Sequence, residues 1–129
     1  MDDDPYAFLT GNTHSRKAYE SVSWLQEKGV NFWDEIIDTE EAIVDGICGC
    51  SLFIVLVSPE GAEDSLTRDE VICAMSNRRP FLVIHLEMTT LPEGLQLAFA
   101  GQATVRMYED GWKKEIEEIL EILWKPMLG

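Results

Sequence analysis

The sequence predicts an α/β fold in which helices cover both faces of a five-stranded parallel sheet. Short apolar runs alternate with stretches of helical spacing along the whole chain. Two of the runs, "SLFIVLV" and "PFLVIHL", lack polar alternation, as expected of strands that are covered on both faces. The length of 129 residues fits one domain around one core. We therefore expect a single domain over residues 1–129, alone or as part of a longer chain.

Five segments have the composition of strands and are bounded by turn residues or by helical stretches. They are residues 6–9, 30–33, 51–57, 80–86 and 104–108. Four stretches between and after them have helical spacing. Their predicted buried stripes are Ala18, Val22 and Leu25; Ile43 and Ile47; Thr67, Val71, Ala74 and Met75; and Trp112, Ile116, Ile119, Leu120 and Leu123. Residues 91–101 are predicted to be a loop with at most one helical turn.

The charge of the chain excludes several classes of partner. Ten Lys and Arg residues stand against 24 Asp and Glu, which gives a formal net charge of −14. Such a surface repels phosphate backbones and anionic lipids, so we expect neither nucleic acid nor a membrane as a partner. No apolar run reaches the ~18 residues of a membrane span, and no N-terminal targeting pattern is present. We therefore expect a cytoplasmic protein.

Three cysteines, Cys48, Cys50 and Cys73, make an odd count without the spacing of a disulfide framework. We expect them to be reduced and to act as small buried hydrophobic residues. Tetrahedral zinc needs four ligands, and no second Cys or His pair follows "CGC", so we expect no metal site.

In a parallel sheet, ligands bind at the carboxyl ends of the strands. These strand ends fall at residues 10–12, 33–37, 58–61 and 86–88, and the helix after the third strand carries Asp69 and Glu70 side by side. At ~100° per residue, Asp69 points away from the predicted buried stripe and into water. Glu70 lies at the edge of the stripe, where its side chain can turn into a cleft. Spacing alone leaves open whether Glu70 is a surface residue or a functional one.

Five pieces of the chain, in order, resemble a known family. They are "DPYAFLTG", similar to a first strand of the form D-x-[FY]-[IV]-S-Y; "WLQEKGVNFWDE"; "CSLFIVLVSPEG"; "SLTRDEVICAM", similar to W-C-x-x-E-[LI]-x-x-A; and "RRPFLVIHLEMTTLPEGLQLAFAG". The chain resembles a bacterial Toll/interleukin-1 receptor (TIR) domain over nearly all of its length. The resemblance implies a flavodoxin-like, three-layer arrangement of the predicted sheet and helices.

Many TIR domains hydrolyse NAD, or cyclise its ADP-ribose part, with one glutamate on the third helix. The resemblance makes Glu70 that catalytic residue and makes NAD a substrate, with no cofactor required. It also implies a substrate-binding set, composed of Leu9, Thr10 and Gly11 at the floor of the pocket, Trp33 on the nicotinamide side with Asp34 next to it, and Leu66 in the place of the family's Trp. Arg68, close to Glu70, is the nearest basic candidate for contacting the pyrophosphate of NAD, and a surface ion pair is its alternative role. The implied biological role is bacterial defence or signalling.

Other TIR domains are catalytically silent and act by binding TIR partners, so self-association or a partner TIR domain is the alternative function. The chain departs from the family in two places. Only "DEIID" separates Trp33 from Thr39, where the family has a loop of about ten residues, and Gly11 stands where the family prefers an aromatic residue.

The residues themselves disfavour two further kinds of site, a phosphorylated receiver site and an acid–base site built on a histidine. A phosphorylated receiver domain needs an acidic cluster after the first strand and an Asp at the end of the third, which residues 10–12 and Ser58 do not supply. His85 lies in a buried type of strand, where we expect a structural histidine, and His14 is expected in a loop.

Overall fold

The computed structural model describes residues 5–33, 39–60 and 65–128, without the side chains at positions 40, 65, 66, 127 and 128. Within these ranges helices and strands alternate as the sequence predicts. The elements are β1 (Ala7–Gly11), α1 (Arg16–Glu27), α2 (Glu40–Cys48), β2 (Leu52–Val57), α3 (Ser65–Ser76), β3 (Phe81–His85), α4 (Glu93–Phe99), β4 (Ala103–Arg106), α5 (Trp112–Leu123) and α6 (Lys125–Leu128).

The sheet is parallel throughout and has four strands in the order β1-β2-β3-β4. The predicted strand over residues 30–33 is wrong as a full strand. It forms a single parallel bridge, in which the Ala7 N–H donates to the Asn31 carbonyl at 2.7 Å and the Trp33 N–H donates to the Ala7 carbonyl at 2.9 Å. The ring of Trp33 packs onto Phe8.

The bridge nevertheless fixes the topology of the fold. The segment around Phe32 lies beside one edge of β1, and β2 lies beside the other. After β1 the chain therefore moves first to one side of that strand, to the segment around Phe32, and then back past it to β2 on the other side. A flavodoxin-like sheet has the same reversal, and it places the ligand crevice at the carboxyl end of β1.

One face of the sheet is covered by α1 and α5, and we call it the α1/α5 face. Its buried core is aliphatic apart from Trp124 and includes Leu25 of α1, Ile54 and Ile84 of the sheet, and Ile116 of α5. Trp24 and Trp112 meet edge to face at 5.5 Å, which joins the two helices at the rim. This face contains the larger of the two apolar clusters.

The opposite face is covered by α2, α3 and α4, and we call it the α2/α3/α4 face. A chain of aromatic contacts runs across it, from Trp33 through Phe8, Phe53 and Phe81 to Phe99, with ring centroids 4.9–6.4 Å apart. Phe8 and Thr10 are alternate residues of β1, so their side chains lie on the same face of the sheet. The face therefore combines a packed base with a polar upper edge.

Two sequence-based expectations differ from the structure in the helices of this face. Residues 93–99 form a complete helix, α4, because Leu95 and Phe99 fall one turn apart and both bury their side chains. Met75 is exposed rather than buried, since the buried stripe of α3 is centred between Thr67 and Ala74. Across the described ranges, none of the helices has both the length and the apolar character needed to span a membrane.

Candidate functional site

Glu70 is the central residue of the candidate site. It lies in the middle of α3 and is 8% exposed, which is unusual for a carboxylate. The hydroxyl of Thr10, itself 5% exposed, donates a hydrogen bond to Oε1 of Glu70. Thr10 lies near the carboxyl end of β1, on the α2/α3/α4 face. The contact therefore joins two residues of the predicted set, sixty positions apart, at the end of the sheet where ligands bind.

The spacing along α3 explains why Glu70 faces inward and its neighbours do not. Thr67, Glu70, Val71 and Ala74 follow the i, i+3, i+4, i+7 series and are all buried. Asp69 is exposed, as predicted from the helical geometry. Arg68 is also exposed, so it stands at the rim of the site rather than within it.

The loops after β1 and β2 meet directly above this pair. The Asn12 side-chain amide donates to the Ser58 hydroxyl at 2.8 Å, and the Asn12 N–H donates to the Leu56 carbonyl at 3.0 Å. These two strands flank the point where the strand order reverses. Sequence analysis placed Asn12 and Ser58 at strand ends, but only the packing of the two strands shows that they bond to each other.

Gly11 has φ +100°, and a Cβ atom there would lie 2.1 Å from the Leu56 carbonyl oxygen. The backbone of β1 therefore approaches β2 too closely for any side chain at this position. The family resemblance predicts an aromatic residue here, and the structure gives a physical reason why this chain has glycine. The assignment of Gly11 to the substrate site stays a prediction.

Trp33 lies on the same face of the sheet as Thr10 and Glu70. Its indole stacks on Phe8 at 5.2 Å, and the backbone of Gly46 in α2 comes so close that a Cβ atom there would lie 2.7 Å from the indole ring. The glycine in α2 therefore makes room for the indole. Trp33 is half-buried, and its packing holds the ring at the edge of the sheet beside β1.

Leu9 points to the α1/α5 face, opposite to Thr10, because successive side chains of a strand alternate. It lines a cleft of about 270 Å³ together with Val22 and Gln26 of α1, Phe32, Thr13 and Trp33. Among the described residues, Trp33 is the one that both lines this cleft and packs on the α2/α3/α4 face. The cleft and the Thr10–Glu70 pair therefore lie on opposite faces of β1.

Two residues of the predicted set fall outside these observations. Asp34 lies outside the described residues, and the side chain of Leu66 is not described, although its backbone belongs to α3. Their assignment to the substrate site stays a prediction.

His85 ends β3 on the α2/α3/α4 face, next to Arg106 at the end of β4. Burial lowers the pKa of His85 below its usual value, and the positive charge of Arg106 lowers it further. The half-buried imidazole is therefore held in its neutral form at neutral pH. The sequence predicts a structural histidine here, but it does not show the arginine beside it.

The cysteines are all free, and they differ in exposure more than the sequence predicts. Cys50 is fully buried, and burial raises the pKa of its thiol to about 11. Cys48 is exposed, so the prediction of a buried residue is wrong there. Cys73 is half-buried near Cys48, and burial followed by that neighbour raises the pKa of the Cys73 thiol. Cys48 lies in α2 and Cys73 in α3, and the sequence does not show that the two are close.

The arrangement limits the chemistry that the site can perform. In the part of the chain that the structure describes, no group of three or more His, Cys, Asp or Glu side chains could hold a metal ion. Among the described residues the site offers the buried carboxylate of Glu70, the hydroxyl that bonds to it, and a hydrogen bond between the segments that follow β1 and β2. A carboxylate of this kind can accept hydrogen bonds from sugar hydroxyls, or it can stabilise a positive charge that develops nearby.

Comparison with known proteins supports the fold. No protein-family model and no curated protein matches the sequence. Among solved structures, the chain is similar to the TIR domains of the activated Roq1 resistosome, which directly recognises the pathogen effector XopQ. The TM-score is 0.65 at 12% identity, over 92% of this chain and 98% of that one.

The chain is also similar to BcmB, a CMP N-glycosidase from Clostridium botulinum. Here the TM-score is 0.61 at 16% identity, over 88% of this chain and 97% of the glycosidase. Both likenesses extend over nearly the whole of each chain. At these identities they show the fold alone, and the chain described here has a TIR-like α/β fold.

Proposed function

We propose that this protein is an NAD glycohydrolase that cleaves the bond between nicotinamide and ribose, with ADP-ribose or its cyclic form as the second product. One observation carries the proposal. The Glu70 carboxylate is buried at the carboxyl end of the sheet, beside the point where the strand order reverses, and it accepts a hydrogen bond from Thr10. A buried carboxylate costs free energy, and a functional site is a common reason for one to be kept.

A single carboxylate suits this reaction. Glycosidases usually need two, because the leaving oxygen must be protonated. The nicotinamide of NAD is a cationic pyridinium, so it departs as a neutral molecule with the electron pair of the broken C–N bond. Water then adds to the ribose carbon and releases one proton. The remaining requirement is to stabilise the oxocarbenium-like ribose, and the negative charge of Glu70 would do so.

Two further observations support the proposal. The fold is shared with a CMP N-glycosidase, so a domain of this shape can carry N-glycosidase chemistry in another protein. A cleft of about 270 Å³ lies beside Trp33, and its other apolar lining residues are Leu9, Val22 and Phe32. We propose that it receives an aromatic part of the dinucleotide, with backbone N–H groups of the strand-end loops contacting the pyrophosphate.

Replacing Glu70 by glutamine tests the enzyme hypothesis. The amide keeps the shape and an acceptor for Thr10 but lacks the charge, so Glu70→Gln should abolish NAD cleavage, a loss of about 3–4 kcal/mol in transition-state stabilisation or more. The matched control is Asp69→Asn, one position away and exposed, which should leave the rate nearly unchanged. The measurement is chromatographic separation of nicotinamide and ADP-ribose after long incubation of concentrated protein with NAD.

If the wild type and Glu70→Gln release nicotinamide at the same background rate, the enzyme hypothesis is excluded. Comparable release by Asp69→Asn and the wild type would show that charge alone on this helix does not control the reaction. The same chromatograms distinguish the linear from the cyclic product.

The second candidate is a binding module that acts through TIR–TIR contacts. It is favoured by exposed apolar side chains on neighbouring helices, Val44 of α2 with Ile72 and Met75 of α3, and by the likeness to TIR domains of a resistosome. Because the chain carries a net charge of −14, we expect self-association to be weak and to strengthen with salt. Light scattering over a concentration series at low and high salt measures this, and a monomer under all conditions would count against it.

A further inference from the structure

Thr10 is a buried side chain of the sheet that bonds to the candidate catalytic residue, Glu70. It is 5% exposed and lies in β1, where it is opposite Val55 in the ladder with β2, the fully buried strand. Its branched Cβ leaves few rotamers open in a strand. The hydroxyl therefore has a nearly fixed position relative to the sheet.

Glu70, in contrast, has a long side chain on a helix whose preceding loop connects it to β2. The two residues are sixty positions apart, and their hydrogen bond is a direct polar link between β1 and α3. Both ends of the link are more than nine-tenths buried, so water competes little for either group. A flexible carboxylate is thereby tied to a rigid point of the sheet.

We propose that Thr10 is a positioning residue, whose hydroxyl orients the Glu70 carboxylate toward the ribose of the bound nucleotide. The proposal rests on the proposed function of Glu70. It assigns to Thr10 a different role from that implied by the family resemblance, which places this residue at the floor of the substrate pocket. A positioning residue acts through another group, so its loss should slow the chemical step without weakening substrate binding.

Reaction rates are sensitive to placement of this kind. A displacement of about 1 Å in a reacting group can lower the rate by about 100-fold. The hydroxyl rather than the bulk of Thr10 should carry the effect, because valine has nearly the same shape and lacks the donor. Serine keeps the donor and loses a methyl group.

The experiment measures kcat and KM for NAD in the wild type, Thr10→Val, Thr10→Ser and Glu70→Gln, with thermal unfolding as a check on folding. We expect Thr10→Val to lower kcat by up to about 100-fold while KM stays nearly constant. Thr10→Ser should restore most of the lost rate. If Thr10→Val does not fold, Thr10→Ala removes the hydroxyl without adding an apolar group of the same size and replaces it in the series.

The outcomes separate the two proposals. An active wild type and an inactive Glu70→Gln, together with a Thr10→Val variant as fast as the wild type, would overturn the positioning role and keep the enzyme hypothesis. A rise in KM at constant kcat would make Thr10 a substrate contact, and equal loss in the serine and valine variants would make its role structural. Each of these results contradicts positioning. Background rates in all four proteins would overturn both proposals.

Discussion

The two faces of the sheet differ in what they bury. The α1/α5 face buries a mostly aliphatic core, in which the buried Ser21 hydroxyl donates to the Ala18 carbonyl of its own helix. The ion pair between Lys28 and Glu117, 2.9 Å apart, lies at the solvent-exposed rim. The α2/α3/α4 face buries aromatic rings together with the hydroxyl of Thr10 and the carboxylate of Glu70. The strands that form both faces are the same, so the difference lies in alternate residues of each strand and in the helices that cover them.

The α1/α5 face therefore contributes mainly to stability, whereas the α2/α3/α4 face also holds the polar groups of the candidate site. Apolar burial on the α1/α5 face contributes about 25 cal/mol per Å² and imposes no requirement for a partner. A buried carboxylate or hydroxyl on the other face needs hydrogen bonds, or it destabilises the fold. The α2/α3/α4 face therefore accepts polar groups only where Thr10, Glu70 and the helix positions match each other. Such a match is what a preorganised site requires.

Gly11 ends β1, next to Thr10 of the α2/α3/α4 face. Its replacement should change the free energy of unfolding more than the replacement of His85 does. Gly11→Ala places a Cβ atom against the Leu56 carbonyl and forces a positive φ on a residue that disfavours it. We expect the free energy of unfolding to fall by about 2–3 kcal/mol, as measured by urea denaturation. NAD cleavage should fall with it, because Thr10 is the adjacent residue.

The matched control for Gly11→Ala is Gly94→Ala in α4, where an added Cβ atom meets open space. That variant should be as stable as the wild type, or more stable by up to about 1 kcal/mol, because alanine favours the helix. A Gly11→Ala protein with wild-type stability would show that β1 and β2 can separate without cost. The close approach of β1 to β2 at Gly11 would then not be a requirement of the fold.

His85 provides a smaller, pH-dependent test of the same face. Its pKa is lowered in the folded chain, by burial first and then by Arg106, so the unfolded chain binds a proton at a higher pH than the folded chain does. As the pH falls below about 6.5, His85 takes up a proton in the unfolded chain before it does so in the folded chain. The free energy of unfolding therefore decreases as the pH falls from about 6.5 toward the folded-state pKa. His85→Gln should lose less stability than the wild type between about pH 7 and pH 5.5.

Urea denaturation at both pH values measures this effect, and His14→Gln is the control because His14 is exposed. The control should follow the wild type. An identical pH dependence in His85→Gln and the wild type would mean that the environment of His85 does not distinguish its two protonation states. The α2/α3/α4 face would then carry no pH-sensitive burial at this position.

The sequence by itself determined the fold class, the parallel direction of the sheet, and the helix that carries Glu70. Apolar runs without alternation identify β2 and β3, since a strand covered on both faces needs apolar side chains in both directions. Helical spacing placed Asp69 in water and Glu70 near the buried stripe, because the two residues differ by ~100° around the helix. These features depend on how side chains alternate along a strand, every two residues, and around a helix, every 3.6 residues. Both periods can be read from neighbouring residues in the sequence.

The tertiary structure decided which of these residues meet. The segment around Phe32 has the composition of a strand but forms one bridge with β1. Composition does not fix the length of a strand, because that length depends on backbone hydrogen bonds to a neighbouring strand. The hydrogen bond between Thr10 and Glu70, the link between Asn12 and Ser58, and the position of Arg106 beside His85 join residues that are 21 to sixty positions apart in the chain. No local period encodes such contacts, because they arise only when the sheet brings separate strand ends to one edge.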